Sequence, residues 1–407
     1  MPNMKVSKGM KKKLLFMLVN MNVGGTEKAL LNMISNIPEE KYDVTILMLE
    51  KYGEFLSCIP SWVNVEYIQE YENLKGLLNE APQITLFKLL KERKIVKAIE
   101  IMFFLLISKI MQERSYLFNY VLRNYQIENK VYDIAVAYAG PMDFISFFVA
   151  TKIKAKKRIQ WIHFDVTKIG FNKKFASKIY KNFDKIFVVS REGRSKLTSI
   201  LPNLKNKTEN FSNILSSSLV NEMAEEGDGF QDNFTGIRIL TVGRLSKEKG
   251  QDLSIPVLER LKKDGFNVKW YCIGEGNARK VYENIIKEFA LENDFILLGS
   301  KPNPYPFIKQ CDIYVQNSRH EGYCITLSEA KCLHKPIITT NFAEAKEQIS
   351  HRKTGLIINK EEELYYAIKL LLNNMNLRQK LSENLKEENV DTTKEIVKFL
   401  ELVEENS

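Results

Sequence analysis

The chain has 407 residues, a net charge of +10, and a composition that is 44% hydrophobic and 27% charged. That length suits two domains of ordinary size, and that balance of apolar to charged residues is typical of a folded soluble chain, not of a disordered or fibrous one. Five cysteines without a CxxC pair, and four histidines without metal-ligand spacing, exclude a disulfide scaffold and a sequence-evident metal site and fit a reducing, cytoplasmic compartment.

Lysines 5, 8 and 11–13 precede the apolar run Leu14–Val19. The run is too short to span a membrane and lacks a small-residue cleavage site, so it reads as a first buried strand. Further strands are expected at Val44–Leu49, Val63–Ile68, Ile134–Tyr138, Arg158–His163 and Ile186–Val189. After a break come Ile237–Val242, Val268–Ile273, Phe295–Leu298, Ile313–Gln316, Pro336–Thr339 and Gly355–Ile358. Each alternates with a helix-like stretch, which argues for parallel sheets built from βαβ units. Two such series give an α/β fold of two doubly wound, Rossmann-like domains.

The break, Asn210 to Asp232, is rich in Ser, Asn, Glu and Gly. It sets the expected domains at 1–215 and 216–390, with 391–407 as a carboxy-terminal helix that can cross back to the first domain. Residues 81–125 interrupt the first series with long apolar patches among Lys88, Lys91, Arg93, Lys94 and Lys97. This helical insertion either lies on a membrane interface or packs its apolar side into its own domain. The longest apolar stretch in it, Ile101–Ile107, is far below the 18 or so residues of a spanning helix.

Charge divides between the halves. Residues 1–215 carry 34 basic and 20 acidic side chains, and residues 216–407 carry 26 and 30. Between 152 and 196 there are 14 basic and 3 acidic residues. The first half therefore suits an anionic partner such as lipid headgroups, a lipid diphosphate or nucleic acid, or else presents a solvated basic face.

Four segments at expected strand ends carry chemistry. Gly243-Arg-Leu-Ser-Lys-Glu-Lys-Gly250 follows the strand ending at Val242, and Arg244 and Lys249 can each reach a diphosphate. Glu321-Gly-Tyr-Cys-Ile-Thr-Leu-Ser-Glu329 follows the strand ending at Gln316. A helix from Thr326 would leave Gly322 to Cys324 as the connecting loop, with helix-start amides that attract phosphate. Glu321 would then face a reacting sugar and Glu329 would accept from ribose hydroxyls. Gly24 and Gly25 open a helix after the first strand and give a small-residue loop that can admit a diphosphate or an acceptor. Trp161-Ile-His163 closes a strand, where a His can bond a ligand hydroxyl or move a proton. Locally, each segment also reads as an ordinary turn, solvated charge or structural His. No Asp pair has the DxD spacing, and no Walker A, GxSxG, HExxH or GxGxxG sequence is present.

Taken in order, these motifs resemble the family 4 retaining glycosyltransferases, of the kind that assembles bacterial surface polysaccharide and lipid-linked glycans. The resemblance implies the GT-B fold, two Rossmann-like domains facing a cleft. It further implies that Arg244 and Lys249 hold a donor diphosphate, helped by backbone at Gly322, Tyr323, Cys324 and Ile325 and by the Gly24–Gly25 loop. Glu321 is similar to the glutamate that contacts the donor sugar, and His163 to the residue near the reaction centre. Glu329 matches the ribose-binding glutamate; Gly274 and the loop with Ser300, Lys301 and Pro302 fall where the nucleoside is held. No metal and no cofactor beyond the nucleotide-sugar co-substrate is implied. The expected function is transfer of a hexosyl residue, from a UDP-sugar in the first instance, to a glycan or lipid-linked acceptor. That places the chain in the cytoplasm or peripherally at the inner membrane face. Cys324 departs from the Gly or Pro of many members. Other functions compatible with parts of the pattern are a glycoside hydrolase using Glu321 and Glu329, a sugar-nucleotide epimerase, and a non-catalytic membrane- or glycan-binding subunit.

Overall fold

The computed structural model describes residues 10–69, 71–79, 82–123, 125, 130–342 and 344–405; Lys5 and Lys8 lie outside the described residues. Thirteen strands are found among them: β1 (Lys12–Leu18), β2 (Tyr42–Met48), β3 (Asn64–Tyr67), β4 (Val131–Ala137), β5 (Lys154–Ile162), β6 (Lys185–Val188), β7 (Thr208–Asn210), β8 (Ile237–Val242), β9 (Val268–Ile273), β10 (Phe295–Leu297), β11 (Ile313–Gln316), β12 (Ile337–Thr340) and β13 (Leu356–Ile358). They form two separate sheets, in the orders β3-β2-β1-β4-β5-β6-β7 and β10-β9-β8-β11-β12-β13. Every pairing within the sheets is parallel.

Parallel sheets covered on both faces need strands that are apolar throughout. The central strands supply this: Leu14 to Leu18 of β1 and Ile313 to Val315 of β11 are all at most 1% exposed. The expected α/β class and the twelve expected strands are present, with bounds shifted by at most about four residues. The additional strand, β7, carries no sequence signal, because Thr-Glu-Asn is polar; it pairs with β6 at the sheet edge.

The chain divides into two compact units. One comprises Met1–Met21, Ile37–Phe211 and Lys398–Ser407; the other comprises Asn22–Asn36 and Ser212–Val397. The division falls at 211/212, inside the composition break and ahead of the expected 215/216. Helix Gly25–Ile34, although it lies between β1 and β2 in sequence, belongs to the second unit, where the Asn32 amide donates to the Ile214 carbonyl at 3.0 Å. The carboxy-terminal tail is divided at 397/398, beyond the expected 390/391. From Lys398 on it packs on the first sheet: Phe399 lies 5.6 Å from Phe16 between ring centroids, and Lys12 Nζ donates to the Val403 carbonyl at 2.8 Å. Residues 391–397 remain with the second unit, where the Thr392 hydroxyl donates to the Asn213 carbonyl at 2.7 Å.

Candidate functional site

A doubly wound sheet opens a crevice where its strand order reverses, beyond the carboxyl ends of the two central strands. In the second sheet those strands are β8 and β11, since the order runs outward from them in both directions. Gly243–Gly250 leaves β8 and Glu321–Glu329 lies beyond the end of β11. The topology therefore brings together the two segments singled out in the sequence.

They meet directly. Lys249 Nζ donates to both carboxylate oxygens of Glu321, at 2.6 and 2.7 Å. Glu321 is further held by the Ser318 hydroxyl at 2.6 Å and the Gln316 amide at 3.3 Å, both donating to Oε1. The Gln316 side-chain oxygen in turn accepts from the Tyr314 hydroxyl at 2.9 Å and from the Thr326 hydroxyl at 3.2 Å. Burial works against the Lys249 ammonium, but the Glu321 carboxylate outweighs it and leaves the lysine pKa raised. Ser318 and Gln316 have no sequence signal beyond lying at or just past a strand end.

Glycines bring backbone segments together here. Gly243 N–H donates to the Ile273 carbonyl at 2.9 Å and Leu245 N–H to the Glu275 carbonyl at 3.0 Å. A Cβ on Gly274 would lie 2.1 Å from the Gly243 carbonyl oxygen, and one on Gly276 would lie 2.2 Å from that of Leu245. Only glycine fits at either place. Arg244, carried between these contacts, is exposed.

Helix Ile325–Cys332 begins just after Gly322 and Tyr323, and no side chain caps its amino terminus. Cys324 is buried beside it, and burial together with the Glu321 charge pushes its thiol up to about 12, so it remains a neutral, small apolar group. Glu329, inside the helix, is 1% exposed. Its Oε1 accepts from the Tyr305 hydroxyl at 2.9 Å and lies 3.7 Å from Lys28 Nζ, which also stands 4.4 Å from the Tyr305 ring centroid. A buried carboxylate needs such partners. Ser300, Lys301 and Pro302 follow Gly299, whose φ of +74° turns the chain after β10, and the Gly299 carbonyl accepts from Gly274 N–H at 2.9 Å.

The segment with Gly24 and Gly25 adds a residue that the sequence motifs do not single out. Glu27 stands near Arg244, and its carboxyl is pushed up to about 7, chiefly by burial, against the lowering effects of its backbone hydrogen bond and of Arg244. The folded value exceeds the unfolded one of about 4.3, so folding favours the protonated acid. Stability contributed by Glu27 is therefore full below about pH 4 and is lost as pH rises toward about 7. Replacing Glu27 with Gln should flatten that part of a urea-midpoint profile between about pH 4.5 and 8. Asp143, in the first unit and also raised to about 7 by burial, should leave a residual slope of the same sign. An unchanged profile in Glu27→Gln would contradict this account.

His163 belongs to the first unit, just past β5. It is 6% exposed, packs 4.7 Å from the Tyr138 ring, and has no hydrogen-bond partner on Nε2 among the described residues. Burial lowers its pKa to about 3 despite a hydrogen bond with the Tyr138 backbone, so the imidazole is neutral at physiological pH.

Residues 230–388 match the family described as glycosyl transferases group 1. An uncharacterized glycosyltransferase of Methanocaldococcus jannaschii is 30% identical over 176 residues, 42% of this chain and 43% of that protein. The N-acetylgalactosamine-N,N'-diacetylbacillosaminyl-diphospho-undecaprenol 4-alpha-N-acetylgalactosaminyltransferase of Campylobacter jejuni is 29% identical over 211 residues, 51% of this chain and 56% of that one. The matches thus span about half the length of these relatives. The crystal structure of Anabaena HepE in complex with UDP and glucose superposes with a TM-score of 0.69 at 16% identity, covering 97% of this chain and 99% of that one, a likeness of fold alone. Residues 230–388 thus carry the likeness to the glycosyl transferases group 1 family, and the chain as a whole has the two-domain α/β architecture of the GT-B fold.

Proposed function

We propose that the chain is a retaining glycosyltransferase that moves a hexosyl residue from a nucleotide-diphosphate sugar, UDP-linked in the first instance, to a hydroxyl of a glycan or lipid-linked acceptor. The observation that carries this reading is the Lys249–Glu321 pair, with Arg244 exposed nearby in sequence, at the ends of the two switch-point strands β8 and β11.

In this reading Lys249 and Arg244 neutralise the donor diphosphate, and the amides from Gly322 to Ile325 add the partial positive charge of a helix start. Charge grows on the departing diphosphate as the glycosidic bond breaks, so fixed cations there favour the transition state over the ground state. Glu321, pinned by Ser318 and Gln316, accepts from donor-sugar hydroxyls when Lys249 turns to phosphate. Glu329 accepts from ribose hydroxyls, with Lys28 and Tyr305 keeping its carboxylate oriented. Gly274 and the Ser300–Pro302 loop border the nucleoside. His163 bonds a substrate hydroxyl as a neutral imidazole. The proposed chemistry needs no metal and no cofactor beyond the donor.

The Campylobacter relative's name specifies a diphospho-undecaprenol acceptor. Together with the basic excess of residues 1–215, it supports an acceptor presented at an anionic membrane surface, with the chain working on its cytoplasmic side in surface-polysaccharide synthesis. Calorimetry with UDP, GDP and ADP, followed by product analysis with UDP-hexoses and polyprenyl-diphosphate acceptors, tests the proposal. Binding of UDP with micromolar affinity and an α-linked product from an α-linked donor are expected. Absence of binding to any nucleoside diphosphate would overturn it.

Gly25 supplies a finer test. A Cβ added there meets nothing within 4 Å. Gly25→Ala should change stability by no more than about 0.5 kcal/mol. If this loop receives the diphosphate backbone-to-phosphate, the same substitution should raise the donor KM about tenfold, the equivalent of about 1.4 kcal/mol. A wild-type KM would remove Gly25 from the donor site.

A further inference from the structure

Helix Ile95–Met111 is apolar on opposite faces. One face carries Ala98, Ile101, Leu105 and Ser108, at spacings of three and four, and packs inward. There, Ile101 joins Leu77, Leu117 and Tyr120 in a small buried cluster, with Leu105 packed against it. The other face carries Ile95, Ile99, Phe103, Leu106 and Ile110, again at spacings of three and four, and all five are between 55% and 67% exposed. Both spacings follow single faces of one helix. Helix Pro82–Lys91, which precedes it, adds Phe87, 70% exposed. The insertion therefore does not simply pack its apolar side inward: it has apolar surface left over. Such a patch on a water-soluble surface is costly and marks a docking face.

Its charge identifies the occupant. Lys88, Lys91, Lys94 and Lys97 cluster where the two helices join, and all are exposed. From residue 82 to residue 111 there are six basic side chains and two acidic ones, Glu92 and Glu100. An apolar stripe with cations at its end matches the acyl boundary and the headgroups of an anionic leaflet. A helix of 17 residues is about 25 Å long. No helix among the described residues is long and apolar enough to cross a membrane, so on a bilayer this element would lie in the interface and not span it.

We propose that the hairpin of helices Pro82–Lys91 and Ile95–Met111 is a monotopic membrane anchor, its outer apolar stripe inserted below the headgroups and its lysines on anionic lipid phosphates. The inference rests on the membrane-side acceptor reading only for its purpose. Vesicle binding needs neither donor nor acceptor, so either can fail alone.

The test is flotation of the full chain with vesicles of phosphatidylglycerol and phosphatidylcholine in equal parts, and of phosphatidylcholine alone. Wild type should float with the mixed vesicles and about tenfold less with the neutral ones. Phe103→Glu/Leu106→Glu should lose at least about tenfold on the mixed vesicles. The quadruple substitution of Lys88, Lys91, Lys94 and Lys97 by Ser should reduce binding to the level seen on neutral vesicles. Circular dichroism and UDP affinity, read at the other unit, report whether each variant remains folded. Phe103→Trp should show blue-shifted emission on mixed vesicles and quenching by brominated acyl chains, which headgroup contact alone would not give. Equal flotation of wild type and Phe103→Glu/Leu106→Glu would overturn the proposal. So would a wild type that sediments as a dimer, ignores vesicles, and becomes monomeric on the same substitution, because a second copy would then be the occupant.

Discussion

Lys249→Ala should lower kcat/KM with matched donor and acceptor by at least a factor of about 100–1000, the scale of removing one fixed charge from a developing anion. The loss should fall on kcat as well as KM, because the proposed role is strongest when the diphosphate departs. Stability is a separate readout. Glu321 is 8% exposed at its side chain and would lose its counter-ion. Breaking a fully buried pair costs about 3–5 kcal/mol. Lys249 is 26% exposed, and Ser318 and Gln316 still donate to Glu321, so a smaller loss of about 1–3 kcal/mol is expected. The double substitution Lys249→Ala/Glu321→Gln removes the stranded charge. It should regain most of that stability while remaining inactive. Recovery of activity together with stability would show that Lys249 acts only as a structural partner. The pH dependence follows from the raised lysine pKa: the stabilisation is fully present below the unfolded value of about 10.4 and is lost only as pH rises through the higher folded value. Neutral-pH assays should therefore show no stability change arising from Lys249 titration.

Much of the architecture is legible in the sequence because parallel strands buried on both faces write themselves as short apolar runs, and Ile237–Val242 or Ile313–Gln316 need no tertiary information. Thr208–Asn210 is not, since a three-residue edge strand of polar residues is held by its neighbour's backbone. Nor does sequence order show that helix Gly25–Ile34 packs with the second unit, or that the tail changes unit at 397/398. Both depend on contacts between residues far apart in the chain, Asn32 with Ile214 and Lys12 with Val403. The same distinction divides the site. Arg244, Lys249, Glu321 and Glu329 stand out as charges beside glycines or a helix start at strand ends. Their partners do not: Lys28 is separated from Glu329 by most of the chain, and Tyr305, Ser318 and Gln316 look like ordinary core or loop residues. Charge identity is local, whereas charge pairing is a property of the fold. The motifs assign Lys249 and Glu321 to different parts of the donor, and the structure pairs them with each other.

Gly274→Ala should severely destabilise the second unit. Its φ is +142°, outside the conformations an L-residue accepts at low cost. The added Cβ would sit 2.1 Å from the Gly243 carbonyl oxygen and 2.8 Å from its carbonyl carbon. Both are backbone atoms and cannot rotate away. Relief requires the Gly243–Leu245 strand end to move, which strains the hydrogen bonds from Gly243 to Ile273 and from Leu245 to Glu275, and carries Arg244 with it. A cost of about 3 kcal/mol or more is expected, and at about 2–4 °C per kcal/mol for a unit of this size, a Tm drop of roughly 6–12 °C. Gly265 separates collision from backbone strain. It too has positive φ, +84°, but a Cβ there meets nothing within 4 Å. Gly265→Ala should therefore cost only about 1–2 kcal/mol, the strain of a left-handed residue, and leave UDP affinity unchanged. Gly274→Ala should also weaken UDP binding at temperatures where the unit remains folded, because the displaced segment bears the proposed diphosphate cation. Equal Tm losses in the two variants would mean that φ alone makes glycine necessary at position 274, and the close approach of the two strand ends would then carry no energetic weight.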